Sequence, residues 1–196
     1  MKQSRVIILI IALLVCAAQL YTPVSMALRY EDVLSTGTSY RFLVEPIDPA
    51  DPFKGRYVRL TFPIERGTLS SLGASIDKDE FKRKDKAFIT LDNNPQGRAV
   101  ISNILREKPA SGDYIAVKIN YLYDDKYGID LPFDRYYAEE FKAPKIESIV
   151  WDRNRLREDA PEIIADVRIK EGAGVIAELY VGDVPILEFL KLEKVK

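Results

Sequence analysis

Hydrophobic positions along this chain follow different rules in two regions. From Val6 to Leu28 runs an uncharged stretch of 23 residues, with Lys2 and Arg5 before it and Arg29 after it. Beyond Ser39 the apolar residues instead alternate with polar ones, the period of a strand buried on one face. Tyr40, Phe42 and Val44 share one side of a predicted strand from Ser39 to Glu45, and a second runs from Tyr57 to Phe62. Strands follow at Ala87 to Asp92 and Ala99 to Arg106, joined by the turn-rich Asn93 to Gly97. The segment from Tyr114 to Tyr123 sets Ile115, Val117, Ile119 and Tyr121 against Tyr114, Ala116, Lys118 and Asn120, and a turn from Asp124 to Gly128 closes it. Gly67 to Ser75 and the charged Asp77 to Lys86 read as a connection.

One segment keeps helical spacing. Ile146, Ile149, Val150 and Leu156 form a stripe after Pro144, with Glu147 early and Arg153, Arg155 and Arg157 late, as the helix dipole favours. Strands at Ile163 to Ile169, Val175 to Val181 and Val184 to Leu190 complete the chain, the last two joined through Gly182-Asp183 as a tight hairpin. The expected architecture is mainly β: an antiparallel β-sandwich or partly open barrel with one packed amphipathic helix, plus an N-terminal transmembrane helix. The domains are read as a signal-anchor segment at 1–28, a juxtamembrane stalk at 29–38 and an extracytoplasmic β-rich domain at 39–196.

Two segments repeat a phrase. Gly55-Arg56-Tyr57-Val58-Arg59-Leu60-Thr61-Phe62 is echoed by Gly112-Asp113-Tyr114-Ile115-Ala116-Val117-Lys118-Ile119, each a turn-competent glycine followed by alternation. The first copy follows a proline-rich acidic loop from Pro46 to Lys54. On these residues, together with Leu34 to Gly37, Tyr127-Gly128-Ile129-Asp130, Tyr136-Tyr137, Glu140 and the region of Gly182, the chain resembles the bacterial GDYXXLXY family. The resemblance implies a membrane-anchored extracytoplasmic protein without an assigned activity. The chain departs from the family pattern at Ala50 and Lys54, where arginine is usual, at Arg56, which replaces the motif aspartate, and at Phe62, which replaces the final tyrosine. Any chemistry those family groups performed would be missing here, whereas a role in shaping the strand and its turn survives all four changes.

Composition narrows the chemistry. With 29 basic and 30 acidic residues spread along the chain, net charge is −1, too weak a field to draw nucleic acid. The single cysteine, Cys16, lies in the apolar run, and there is no histidine, which excludes Ser-His-Asp, Cys-His and histidine-ligated metal centres within this chain. Carboxylates, serine with lysine, and tyrosine remain. Asp92 to Gly97 imitates the start of a calcium loop, but Asn103 stands at the twelfth position where glutamate is needed, so a plain turn is the reading.

No catalytic residue, metal site or cofactor is expected. Partner- or ligand-binding candidates are Asp48, Asp51, Lys54, Arg56 and Tyr57; Gly55, Gly112, Asp113 and Tyr114 are candidate structural positions. Asp48 and Asp51, three apart in a proline-stiffened loop, could pair or hold a cation, or each could cap a turn. The uncharged run suffices to span a bilayer, which takes about 20 residues. Lys2 and Arg5 keep its N-terminus cytoplasmic and send the rest across. Cleavage after Ala17 or Ala27, as a signal peptide, is the alternative. The functional expectation is an extracytoplasmic interaction or accessory module at the cytoplasmic membrane, serving a membrane or envelope protein. The alternatives are an envelope hydrolase using carboxylate or Ser-Lys chemistry, and a small-ligand or cation binder at the Asp48-Asp51 loop.

Overall fold

The computed structural model describes residues 2–45, 57–72, 81–138, 142–143, 145–146, 148–149 and 161–193. A single helix, Lys2–Thr36, contains the whole apolar run with Pro23 inside it. A proline removes one helical donor, a defect that apolar helices tolerate. Helix continues through Pro23, and residues 29–36 of the 29–38 segment form its last turns. Within Ile10–Thr36 an 18-residue window reaches a mean hydropathy of 1.8, and the span is long and apolar enough to cross a membrane. Leu13, Leu20 and Met26 are exposed, whereas Val33 is buried.

Two larger antiparallel sheets share one core. The four-stranded sheet has the order β1 (Thr38–Leu43), β9 (Ile163–Lys170), β10 (Ala173–Val181) and β11 (Val184–Pro185). The five-stranded sheet runs β3 (Arg66–Thr68), β7 (Lys126–Asp130), β6 (Tyr114–Tyr123), β4 (Lys86–Asn93) and β5 (Ala99–Leu105). A two-stranded ribbon pairs β2 (Tyr57–Arg59) with β8 (Arg135–Tyr137). Every pairing within these sheets is antiparallel, and each sheet is open rather than closed into a barrel.

Alternation explains the core. Ile163, Ala165, Val167 and Ile169 of β9 are all buried, as are Ile115, Val117 and Ile119 of β6, and both sets belong to one hydrophobic cluster. Between the sheets Phe42, Phe62 and Phe133 meet edge to face, with ring centroids 5.4 to 5.8 Å apart. Such pairs contribute about 0.5–1.5 kcal/mol each beyond the area they bury. The described helical residues near 143–149 add Ala143, Ile146 and Ile149 to the same cluster. Val150, Arg153, Arg155, Leu156 and Arg157 of that predicted stripe lie outside the described residues.

Four expectations change. Val184 to Leu190 is not one strand: after Val184–Pro185 the chain turns into a helix, Ile186–Glu193. Ile186, Leu187, Phe189 and Leu190 follow i, i+1, i+3, i+4 spacing, which puts Ile186 and Leu190 on one buried side. The turn after β6 takes only Asp124 and Asp125; Lys126, Tyr127 and Gly128 already belong to β7. Gly67, placed in a connection by its composition, sits in β3 opposite Tyr127. Tyr121 leaves the buried face because the β6–β7 register slips between Ile119 and Tyr121, a bulge that inverts the alternation so that Leu122 packs on the core while Tyr121 and Tyr123 are exposed.

Candidate functional site

Of the first glycine-tyrosine phrase, Tyr57 begins the described part. Asp48, Asp51, Lys54, Gly55 and Arg56 lie outside the described residues. Tyr57 opens β2 and stands opposite Tyr137 on β8, with ring centroids 6.1 Å apart. The Arg135 guanidinium carbon lies 4.9 Å from the Tyr57 ring centroid, within cation–π range. Asp134 meets both Arg135 at 3.4 Å and Arg59 at 3.3 Å. Val58, next to Tyr57, is buried and pairs with the buried Tyr136, whose hydroxyl donates to a Glu178 carboxylate oxygen at 2.8 Å. Burial and that carboxylate hold the Tyr136 hydroxyl protonated well above its ordinary range. The ribbon is thus anchored through one face and leaves two tyrosines and two arginines toward the surface.

The second phrase builds a structural corner. Gly112 takes φ +85°, and Asp113 accepts a 3.1 Å hydrogen bond from the Tyr40 hydroxyl. Burial, and then the Asp113 charge, push the Tyr40 hydroxyl up to about 12. Tyr114 is buried beneath the Lys108 ammonium, 5.4 Å from its ring, and meets Phe88 edge on at 5.7 Å. Gly172 pairs with Ile115, and Ala116 N–H donates to its carbonyl at 2.9 Å, so the corner fastens β6 to the β9–β10 turn. The two copies therefore bury the same phase, with Val58, Leu60 and Phe62 matching Ile115, Val117 and Ile119. Their settings differ: β2 pairs with β8 alone, whereas β6 is central in the five-stranded sheet.

Glu65 shows why a perturbed carboxyl need not be catalytic. Its two oxygens accept backbone N–H groups of Phe62 and Leu131, each at 3.2 Å, and its pKa is raised by burial against the lowering effect of those bonds. It staples the turn after β2 to the end of β7. An open cleft of about 550 Å³ is bordered by Leu43, Ile64, Arg66, Arg98 and Tyr127. Its cations are matched, Arg66 by Glu45 at 2.5 Å and Arg98 by Glu162. Among the described residues no three carboxylates or cysteines gather as a metal site.

Sequence reasoning isolated Tyr57 but not its neighbours Asp134, Arg135 and Tyr137 as one group. Period-2 patterning fails on a three-residue strand, and only Tyr136-Tyr137 stood out, through the family resemblance. The comparison with family models returns one described as GDYXXLXY protein, matching residues 19–179. No curated protein and no solved structure matches the chain.

Proposed function

The chain belongs to the GDYXXLXY family, and from that premise we propose that it is an interaction or accessory module held at the outer face of the cytoplasmic membrane by its N-terminal helix, serving a membrane or envelope protein. The observation that carries this reading is the continuity of an apolar helix with a β domain. The helix that is long enough to cross a bilayer ends by docking on β9 and β10, with Lys170 2.8 Å from Asp32 and Gly37 N–H donating to the Val33 carbonyl at 2.9 Å. Such a junction hands the position of the anchor directly to the domain. Lys2 and Arg5, ahead of the uncharged run, orient the helix with the domain outside.

Partner contact is assigned to the stretch from Asp48 to Tyr57, where two carboxylates and two cations precede a tyrosine that begins the exposed ribbon. The test is co-purification in mild detergent of the full chain and of an Asp48→Asn, Asp51→Asn variant. A partner retained by the wild type and lost by the variant, with the urea midpoint unchanged, supports the assignment. Unchanged partner recovery with a lowered midpoint makes the aspartates turn caps and refutes it.

A further inference from the structure

The N-terminal helix leaves the domain over β9 and β10, and β10 also carries the ribbon that bears the exposed Tyr137. Followed backwards from β1, Gly37 sits over Ile169, Asp32 pairs with Lys170, and the helix lies against β9 and β10. β8, which carries Tyr137, packs on β10 as well, so the helix and the β2–β8 ribbon share that strand. The apolar run ends at Leu28, and two residues of helix rise only about 3 Å. Tyr30 therefore stands at the level where the apolar run stops, and Tyr137 is carried by a strand that packs on the same β10 as the helix.

The chemistry of that level is specific. Tyr137 is 60% exposed and Tyr30 43%. Arg135 shares β8 with Tyr137 and stands opposite Arg59 on β2, their side chains 51% and 60% exposed and one aspartate, Asp134, shared between them. Tyrosine rings settle in the headgroup layer of a bilayer, and guanidinium groups bind phosphate oxygens in pairs. The anchor supplies the bilayer at high effective concentration, so weak contacts suffice to hold the domain down.

Resting on the anchored reading of the function, we propose that the β2–β8 ribbon lies on the phospholipid surface entered by the chain's own helix, with Tyr137 among the headgroups and Arg135 and Arg59 facing phosphates. The domain then has one fixed tilt. The β4–β5 turn is tied through Arg98 to Glu162, just before β9 begins, whereas the helix pairs with Lys170 at the other end of β9, so the turn at Asn94 to Gly97 lies away from the helix junction. Tyr57, and with it the start of β2, is held at the membrane, which makes an integral membrane protein the class of partner within reach.

The test uses the full chain reconstituted in phosphatidylcholine–phosphatidylglycerol vesicles with a fluorophore on a single cysteine. Tyr137→Cys, Arg59→Cys and Gln96→Cys are each made in a Cys16→Ser background, and native Cys16 is labelled in the wild type. Lipids carry a spin-label quencher either at the headgroup or deep in the acyl chain. Loss of fluorescence at positions 137 and 59 with the headgroup quencher, none at 96, and loss at Cys16 with the deep quencher is the expected result. Quenching at Cys16 but at neither ribbon position overturns the ribbon contact and leaves the anchor standing, as does equal quenching at 96 and 137. No quenching at Cys16 by either lipid removes the anchor and the ribbon contact together.

Discussion

Gly112 and Gly172 both hold positive φ, +85° and +82°, yet a Cβ would meet nothing within 4 Å at the first and would lie 2.7 Å from the Tyr114 ring at the second. Gly112→Ala should thus cost only the left-handed strain, about 1–2 kcal/mol. Gly172→Ala adds overpacking against a buried ring, for a total of about 2–4 kcal/mol. Urea midpoints of the two variants check the order, and equal midpoints would contradict it. Tyr40 gives a pH test. Its folded-state value, about 12, lies above the free value of 10.0, so its contribution to stability is complete below pH 10 and disappears as pH rises toward 12. Tyr40→Phe should make the alkaline loss of stability between pH 10 and 12 shallower in denaturant titrations. Tyr136, raised in the same direction, still titrates in that variant, so the slope decreases without vanishing. A residue's place in the alternation was readable from sequence, as Val58 and Ile115 show; that Asp113 answers Tyr40 across the fold was not, because 73 positions separate them.

Elements depend on contacts that local pattern describes unequally. Gly37 joins the N-terminal helix to β1, and a Cβ there would come within 3.1 Å of the Val33 carbonyl oxygen and of the Ile169 nitrogen and oxygen. All three are backbone atoms with no rotamer to change, so Gly37→Ala should lift the helix end from β9. The expected cost is about 1–3 kcal/mol, together with new protease cleavage between Arg29 and Thr36. A midpoint and digestion pattern like the wild type's would show the docking to be dispensable. β4 and β9 were legible because each holds period-2 alternation over seven or more residues, and β6 because it holds it from Ile115 to Ile119. β3 and β8, three residues each, were not, since pairing with β7 and β2 rather than their own pattern makes them strands. The last apolar segment was misread because an i, i+1, i+3, i+4 pattern over so few residues also satisfies much of a strand, and Pro185 in front of it was the overlooked signal.

At the scale of the whole molecule the apolar helix and the β domain act as one unit, and the test is topology. A C-terminal reporter that works only outside the cytoplasm should be active, and the protein should stay with the membrane after carbonate extraction. A soluble species beginning at Ala18 or Leu28 would replace the anchor with a cleaved signal. The sequence by itself determined the long uncharged segment, the mainly antiparallel β character and the family, because each is written in local order: length without charge, alternation, and a short motif. It also named Tyr57, through that motif. Tertiary structure alone decided that the helix docks on β9 and β10, that the echoed phrases occupy different sheets, and that Tyr57, Arg135 and Tyr137 form one surface. Those facts depend on pairings between distant segments, such as Tyr57 with Tyr137 and Asp32 with Lys170. Alternation specifies which face of a strand is buried but not which strand lies beside it.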